Sequence, residues 1–441
     1  MVFEAAGGGL DRLKAALLRG VARGEVRVAQ LGISTTAGHD IYHNESFPHV
    51  FGRHFGAVLR TAGVDLRMRN HAVGGFGSMP SHACVVTMAG ADNDVVAWDY
   101  QMMADRGSCA VEHFARGLAA AAPSLADAPA TLWWQGAVWL PKDEEKGERR
   151  WAAGNAKQSC GNKWIVQAYA SLGAHAGDFG GLLSRLRRAG LPLLQKGTDP
   201  LYMDPDKGKP PAADMSEPEL PRRRLARHHP GAPLHRLWGL AWAHAYLGIL
   251  SDALTAGARG AAPSALPPRA GCEAPLCDAA ATCLTSMRPR VGYALEAAIA
   301  ASGSSTWRAR GDAKKHASPF GYVDEKILLA GTAADGELHL EFEATLPGRP
   351  VVACEAPCPW GRCPPGRLPL RKNSKWTVDG APAAPPDPTP SSLKIYDVRD
   401  TCFVVAESVS VGKHAVGVSF AGDAPCNRPP CYVGLTHLIH Y

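Results

Sequence analysis

Two periodicities of apolar positions alternate along the first 255 residues. Short apolar runs typical of strands occur at Val26–Leu31, Asp65–Asn70, Asp94–Trp98 and Thr131–Trp139. Stretches with helical spacing occur at Phe47–Thr61, Val111–Ala120, Lys163–Leu172, Phe179–Ala189 and Leu234–Leu254. Strands that alternate with helices predict an α/β layer structure with a largely parallel sheet.

The two ends of the chain have different patterns. The pattern of residues 1–25 predicts an amphipathic helix, which is followed by the α/β domain at residues 26–255. Residues 256–290 are rich in Ala, Pro and Gly and are predicted to form a linker. Beyond the linker, β-rich runs separated by Pro and Gly turns occur at Glu337–Ala344, Lys394–Tyr396, Cys402–Ala406 and His414–Phe420. This spacing predicts a smaller all-β, sandwich-like domain at 291–441.

Composition and charge narrow the function classes. With 46% hydrophobic and 20% charged residues, the chain has the balance of a globular protein. The 47 basic residues are scattered among 41 acidic ones, so we expect no nucleic-acid partner. The most apolar stretch, Leu237–Leu250, is too short for a membrane span and predicts a core helix. We interpret His244 within it as a core histidine.

The twelve cysteines are unevenly placed, with Cys84, Cys109 and Cys160 in the first half and nine after residue 271. Their gaps differ from the C-x2-C pairs of zinc sites, so we expect disulfides and no metal. Bridges within Cys354–Cys363 and from Cys402 to the Cys426/Cys431 region are expected from sequence proximity. Because nine cysteines cannot all pair with one another, one of them should be free or bonded to a cysteine in the first half of the chain. The alternative is a reduced β domain with buried thiols.

Disulfides imply an oxidising compartment, so we expect a secreted, endomembrane or cell-surface protein. No targeting segment is visible in this sequence. The sequon Asn44-Glu45-Ser46 is compatible with a secreted glycoprotein.

Polar groups that could carry out acyl chemistry follow the predicted strands. Ser34 ends the first strand in Leu-Gly-Ile-Ser34-Thr-Thr-Ala-Gly, and the second strand ends at Asn70, before a glycine turn that includes Gly75. His229 precedes the last apolar helix. The carboxyl ends of parallel strands form the ligand-binding edge of such sheets. A serine there can attack a carbonyl when a base takes its proton and N–H groups hold the oxyanion.

The order of these blocks resembles the SGNH (GDSL-like) hydrolases. The Ser34 stretch is similar to the family's Gly-Asp-Ser block, and Phe47-Pro48 is similar to the aromatic-Pro pair that opens the first helix. Asn70 with Gly75 resembles the second block, and His229-Pro230 resembles the last block. The resemblance covers about residues 26 to 255. The whole chain is also similar to a group of algal and protist surface proteins that join such a domain to a β-rich tail.

The resemblance implies a flavodoxin-like, three-layer domain without cofactor. Within it, Ser34 is the nucleophile, His229 is the general base, and the N–H groups of Ser34 and Gly75 form the oxyanion hole. Clustered histidines such as His228 and His235 lack the H-E-x-x-H spacing of a zinc site, so we expect no metal here either.

Three positions depart from the family pattern. Ile33 replaces the usual Asp before the nucleophile, Met103 takes the place of the third-block Asn, and Ala226 takes the place of the acid three residues before the histidine. Candidates for the missing oxyanion donor or orienting carboxylate are Asn93, Asp99, Asp204, Asp206 and Asp214.

The sequence therefore predicts a serine esterase or acyl transferase. Its partner would be a small acyl ester or an acylated glycan, such as an O-acetylated carbohydrate. The departures at Met103 and Ala226 favour an alternative, a catalytically degenerate protein of the same fold that binds carbohydrate or is a structural component of the cell surface.

Overall fold

The computed structural model describes large parts of both predicted domains. The described residues are 3–4, 9–38, 43–74, 81–100, 110–135, 167, 169–178, 182, 232–257, 265–266, 282–285, 307–311, 327–355, 366–384, 402–421 and 430–440. They form an α/β unit followed by an all-β unit, which confirms the predicted fold class.

A six-stranded sheet forms the centre of the α/β unit. Its strands are β1 (Phe3–Glu4), β2 (Glu25–Gly32), β3 (Asp65–Asn70), β4 (Val95–Asp99), β5 (Ala130–Gln135) and β6 (His175–Asp178). They lie in the order β1-β6-β5-β4-β2-β3, with β2 to β6 parallel and β1 antiparallel to β6. Counted from β2, the parallel strands have the 2-1-3-4-5 order of flavodoxin-like sheets, which bind ligands at the carboxyl ends of the strands where the winding reverses. That switch point lies between β2 and β4.

Helices cover both faces of this sheet. They are α1 (Gly9–Arg23), α2 (Ser34–Ala37), α3 (Phe47–Thr61), α4 (Val85–Met88), α5 (Ala110–Ala121) and α6 (Ala232–Ala256). Helices α1, α3 and α6 pack on one face, and α4 and α5 pack on the other. The unit therefore has three layers, with the sheet in the middle.

The face covered by α3 and α6 has an aromatic core. Trp242 is fully buried, and its ring centroid lies 3.8 Å from that of Phe51 and 4.9 Å from that of Trp134. The two helices approach closely at Gly239, where a Cβ would lie 2.5 Å from the Cβ of Val50. A glycine at this position lets the aromatic rings of both helices interleave.

The other face of the sheet has a core that both units share. The ring of Phe114 lies 4.6 Å from the ring of Trp98, measured between centroids. Val352, Val404 and Ile439 of the all-β unit belong to the same buried apolar cluster. The all-β unit is therefore packed against the sheet of the α/β unit as well as around its own core.

The all-β unit is built from antiparallel strands. They are β7 (Thr282–Thr285), β8 (Arg308–Gly311), β9 (Ile327–Gly331), β10 (Leu338–Ala344), β11 (Arg349–Cys354), β12 (Ser374–Val378), β13 (Ala381–Ala383), β14 (Cys402–Val409), β15 (Gly412–Phe420), β16 (Val433–Leu435) and β17 (His437–His440). The sheets are β10-β15-β12-β13, β14-β11-β17-β7 and β16-β9-β8. Leu340 and Val416 of the first sheet share a core with Val351 and Val405 of the second, as in a sandwich.

Two disulfides whose cysteines both lie in the described ranges join parts of the chain that are distant in sequence. Cys354 and Cys402 lie directly opposite each other on β11 and β14, with 4.0 Å between their Cα atoms. The prediction that Cys354 and Cys402 each close a short loop is therefore wrong, because antiparallel strand pairing, and not sequence proximity, brings these two cysteines together. Cys84 is bonded to Cys283, so the tail does reach the first half of the chain. Both bonds are consistent with an oxidising compartment.

Strand β7 lies inside the stretch predicted as a linker. It pairs with β17 at the edge of the second sheet, so β pairing in the tail begins before residue 291. The predicted strand Lys394–Tyr396 lies outside the described residues, as does the predicted helix Phe179–Ala189 apart from Leu182.

Helix α6 contains the apolar stretch that the sequence assigned to the core. His244 is exposed on this helix, so its interpretation as a core histidine is wrong; the buried stripe passes through Trp242, Ala243 and Tyr246 instead. Of the helices in the described ranges, none combines the length and apolar character needed to cross a membrane.

Candidate active site

Ser34 lies directly after β2, at the switch point of the sheet. It is partly buried and begins the one-turn helix α2. Ile33 before it is extended, with φ −89° and ψ −169°, and Gly38 ends the turn with φ 85°. That positive φ favours glycine, which accounts for the Gly that ends the block. The sharp strand-to-helix turn places the serine at the ligand-binding edge.

A threonine two residues later connects this turn to β4. The Thr36 hydroxyl donates a hydrogen bond to Oδ2 of Asp99 at the end of that strand. The contact requires Gly32, because a Cβ there would lie 2.4 Å from Thr36 Oγ1. The Ile33 N–H also donates to the Asp99 carbonyl oxygen, at 3.2 Å. Asp99 therefore fixes the Ser34 turn from the neighbouring strand, and Thr36 joins the candidate site as a residue that the sequence did not predict.

The Asp99 carboxyl is partly buried at this position. Burial raises its pKa to about 6, and the hydrogen bond from Thr36 opposes that shift only in part. The carboxyl therefore changes its charge in the range where a general acid or base is most effective. Its role in the structure is to accept the Thr36 hydrogen bond.

This shift predicts a pH-dependent effect of Asp99→Asn. The folded state binds more protons than the unfolded state between the ordinary carboxyl pKa of 3.8 and about 6, so the stability of the wild type falls as pH rises through this window. Asparagine cannot ionise, and its Oδ1 can still accept from Thr36. The variant should therefore be more stable than the wild type at pH 8, by up to about 3 kcal/mol at roughly 1.4 kcal/mol per pKa unit.

At pH 4 the two proteins should have nearly equal free energies of unfolding. Urea unfolding at both pH values measures the difference. A stability gain of the same size at pH 4 and pH 8 would contradict the assignment of the titration to Asp99.

The segment after β3 runs alongside the segment after β2. The Asn70 side chain donates from Nδ2 to the Thr36 carbonyl at 2.8 Å and accepts at Oδ1 from the Ala72 N–H at 3.0 Å. The Val73 N–H donates to the Gly32 carbonyl at 3.0 Å. These bonds continue the parallel pairing of β2 and β3 beyond Gln30 and Asn70, so the segment after β3 runs alongside the turn that carries Ser34. We name residues 70–74 the β3 loop.

Asn93 lies at the opposite edge of the sheet. It precedes β4, and its Nδ2 donates to the carbonyl oxygens of Ala89 and Gly90 at 2.8 and 3.0 Å. Six residues separate it from Asp99, or about 20 Å of extended strand. The structure therefore brings Asp99, but not Asn93, to the turn that carries Ser34.

The remaining candidates lie outside the described residues. They are Gly75, Met103, Asp204, Asp206, Asp214, Ala226, His228 and His229.

The start of α6 can be placed relative to the sheet. The Phe47 N–H, at the start of α3, donates to Nδ1 of His235 on the first turn of α6 at 3.2 Å. Helix α3 leads from the end of β2 to the start of β3, so its first turn lies at the carboxyl edge of the sheet. Helix α6 therefore also begins at that edge.

A second Ser, His and Asp set lies on the all-β unit. Nδ1 of His414 lies 2.7 Å from Oδ2 of Asp379, and its Nε2 lies 3.4 Å from the Ser410 hydroxyl. Nε2 is also 2.9 Å from the Ser410 carbonyl oxygen, which can only accept, so Nε2 carries a proton. The Asp379 hydrogen bond raises the pKa of His414 in the same sense. An Nε2 that donates to a carbonyl oxygen cannot take the proton of the Ser410 hydroxyl, so this set connects two turns and is no second triad.

In the described ranges, no group of three or more His, Cys, Asp or Glu side chains could hold a metal ion.

Comparison with known proteins gives structural likeness only. No protein-family profile matches the chain, and no curated protein sequence matches it. Two crystal structures of a two-domain esterase active on acetylated mannans each match with a TM-score of 0.49 and 12% sequence identity. The first match, a complex with mannopentaose, covers 97% of this chain and 94% of the esterase chain. The second match covers 98% of this chain and 95% of the esterase chain. The tail fiber protein gp63.1 of E. coli phage G7C has a TM-score of 0.31 and 10% identity, over 96% of this chain and 48% of that one. Likeness at this level does not establish a shared activity.

Proposed function

We propose that the chain is a serine hydrolase of the SGNH type that cleaves O-acyl esters, with Ser34 as its nucleophile. The observation that carries the proposal is the place of Ser34: a sharp turn after β2, at the switch point of a flavodoxin-like sheet, beside the β3 loop. Ligands bind at this edge in such sheets.

The proposed reaction has two halves. Ser34 Oγ attacks the acyl carbon while His229 takes the hydroxyl proton, and the backbone N–H groups of Ser34 and Gly75 hold the oxyanion. The C–O bond to the alcohol then breaks, the alcohol receives the proton from His229, and the acyl group remains on Ser34. Water, or a second alcohol in a transfer reaction, attacks the acyl-enzyme by the same route and regenerates the serine.

The start of α6 supports His229 as the base. The histidine lies three residues before Ala232, the first residue of α6, and three residues span at most about 11 Å. Helix α6 begins at the carboxyl edge of the sheet, and this supports the proposal that His229, which comes shortly before α6 in the sequence, acts at the same edge as Ser34. We propose Asp206 or Asp214 as the carboxylate that orients it, since Ala226 cannot do so.

Asp99 and Thr36 are proposed to compensate in part for Met103. A side-chain oxyanion donor contributes about a hundred- to thousandfold in rate, and methionine has no group that can donate. The Thr36–Asp99 hydrogen bond instead fixes the turn that carries the Ser34 N–H. An oxyanion hole made of two backbone donors on a rigid turn is therefore the arrangement that we propose.

We propose a small acyl ester or an acylated glycan as the substrate, with O-acetylated carbohydrate as the first class to test. The disulfides favour secretion or the cell surface, where glycans are accessible. A catalytically degenerate carbohydrate-binding protein is the second candidate, and the replacements Met103 and Ala226 favour it. Both candidates bind glycan, but only the enzyme releases the acyl group.

Ester hydrolysis by the full chain tests the proposal. We expect saturable release of p-nitrophenol from p-nitrophenyl acetate and of acetate from an acetylated oligosaccharide. A serine-directed phosphonate should inhibit both reactions. Rates equal to those of buffer with every ester, together with binding of the oligosaccharide, would favour the degenerate protein instead.

A further inference from the structure

The β3 loop contacts the all-β unit directly. Val73 of this loop is 4% exposed and belongs to one buried apolar cluster with Leu328 of β9 and with Tyr432. Ala330 packs against the same cluster. A segment that runs beside Ser34 is thus covered by side chains from the other unit.

Val73 also connects this cluster to the nucleophile strand. Its N–H donates to the Gly32 carbonyl, and two residues earlier the His71 N–H donates to the Gln30 carbonyl at 2.7 Å. The backbone of the loop is therefore bonded to the strand that leads to Ser34, while the Val73 side chain is packed against the all-β unit. Displacement of that side chain would move the backbone beside Ser34.

The partners of Val73 belong to a rigid part of the all-β unit. Leu328 lies on β9, which is paired on both sides, with β8 and with β16. A Cβ at Gly434 would lie 2.5 Å from Leu328 Cδ1, so the leucine is held closely by the neighbouring strand. The Tyr432 N–H donates to the Gly366 carbonyl, and its own carbonyl accepts from the Leu368 N–H, both at 2.9 Å. These pairings give the loop a fixed surface to pack on.

A covalent bond keeps the two surfaces together. Cys84, at the start of α4, is bonded to Cys283 of β7, and the Thr87 hydroxyl donates to the Cys283 carbonyl at 3.1 Å. This bond is a second covalent link between the two units, in addition to the chain itself, and it favours their association.

We infer that the all-β unit positions the β3 loop for catalysis, with Val73 as the positioning residue and Leu328 as its main support. The inference rests on the proposed hydrolase function and deepens it. The all-β unit then contributes no reacting group, but it completes the active site by fixing the backbone beside Ser34. A displacement of about 1 Å at a reacting centre can cost about a hundredfold in rate.

Two adjacent leucines of β9 provide a matched pair of variants. Leu328 and Leu329 are both fully buried, but Leu328 is in the Val73 cluster while Leu329 is in the core of the sandwich. Leu328→Ala should lower kcat for p-nitrophenyl acetate by about tenfold to hundredfold with little change in KM. Leu329→Ala should keep kcat within about twofold, and Leu328→Met, which conserves volume, should restore most of it.

Hydrogen exchange gives a second readout that does not depend on activity. The amides of His71 and Val73 should exchange faster in Leu328→Ala than in Leu329→Ala, at a temperature where both variants are folded. Equal exchange in the two variants, or equal loss of kcat, overturns the inference even if Ser34 is essential. Absence of hydrolysis by the wild-type protein overturns the proposed function instead, and exchange then decides only whether the all-β unit fixes the loop.

Discussion

Replacement of Ser34 by alanine is expected to lower kcat for ester hydrolysis by about a thousandfold or more. In the proposed reaction the Ser34 hydroxyl forms the acyl-enzyme, and without it the backbone donors alone would support only a slow attack by water. Ser34 is partly buried at the start of a helical turn, and alanine is a favoured helix residue, so the fold should be retained. The rate of p-nitrophenol release measures the effect.

Ser251→Ala is the matched control for this experiment. Ser251 is exposed on α6 and is replaced by the same residue in the same type of element. It should retain the wild-type rate. If Ser34→Ala and Ser251→Ala hydrolyse the ester equally fast, the nucleophile is not Ser34.

Trp242→Ala should produce the largest loss of stability, about 3–5 kcal/mol in the free energy of unfolding. The side chain is fully buried between the sheet and α3, and its ring contacts Phe51, Trp134 and Tyr246 with centroid distances of 3.8, 4.9 and 5.8 Å. Most of the loss comes from the removed ring contacts and from the cavity left behind.

Leu254→Ala on the same helix is the control for Trp242→Ala. Leu254 is 63% exposed, so its replacement should change the free energy of unfolding by no more than about 0.5 kcal/mol. Urea unfolding measures both variants. A loss below about 1 kcal/mol for Trp242→Ala would contradict the aromatic core described for this face.

Local sequence signals predicted some elements to the residue. The observed bounds of α3 and β3 equal the predicted Phe47–Thr61 and Asp65–Asn70. Pro48 in the first turn of α3 is preorganised for a helix, and Gly63 after it has a φ of 72° that ends the helix. Where boundary residues of this kind are present, the ends of helices and strands can be predicted from the local sequence.

Other elements depend on contacts that local sequence does not encode. Strand β6, His175–Asp178, has no β-branched residue, and it is a strand because β5 and β1 pair with it on both sides. Strand β7 was missed for a related reason, since it lies in an Ala- and Pro-rich stretch and gains its partner from the last strand of the chain.

The candidate site was predictable only in outline. The turn that carries Ser34 follows from a strand that ends in small residues, and its place at the carboxyl edge follows from the parallel order. The hydrogen bond between Thr36 and Asp99 depends on the register of β2 against β4, which pairs Gly32 with Asp99. The residue spacing within one segment does not predict how that segment aligns with another strand. The contacts of Thr36 and Val73 could therefore be identified only in the folded structure.

The most direct test of the central claim is the position of the acyl group during turnover. Rapid acid quenching of p-nitrophenyl acetate hydrolysis, followed by digestion and mass spectrometry, locates the trapped intermediate. The proposal predicts an acetyl group on Ser34 that is present during turnover and absent once the ester is consumed. Continued turnover with Ser34 unmodified, or with the acetyl group passing through another residue, would contradict it.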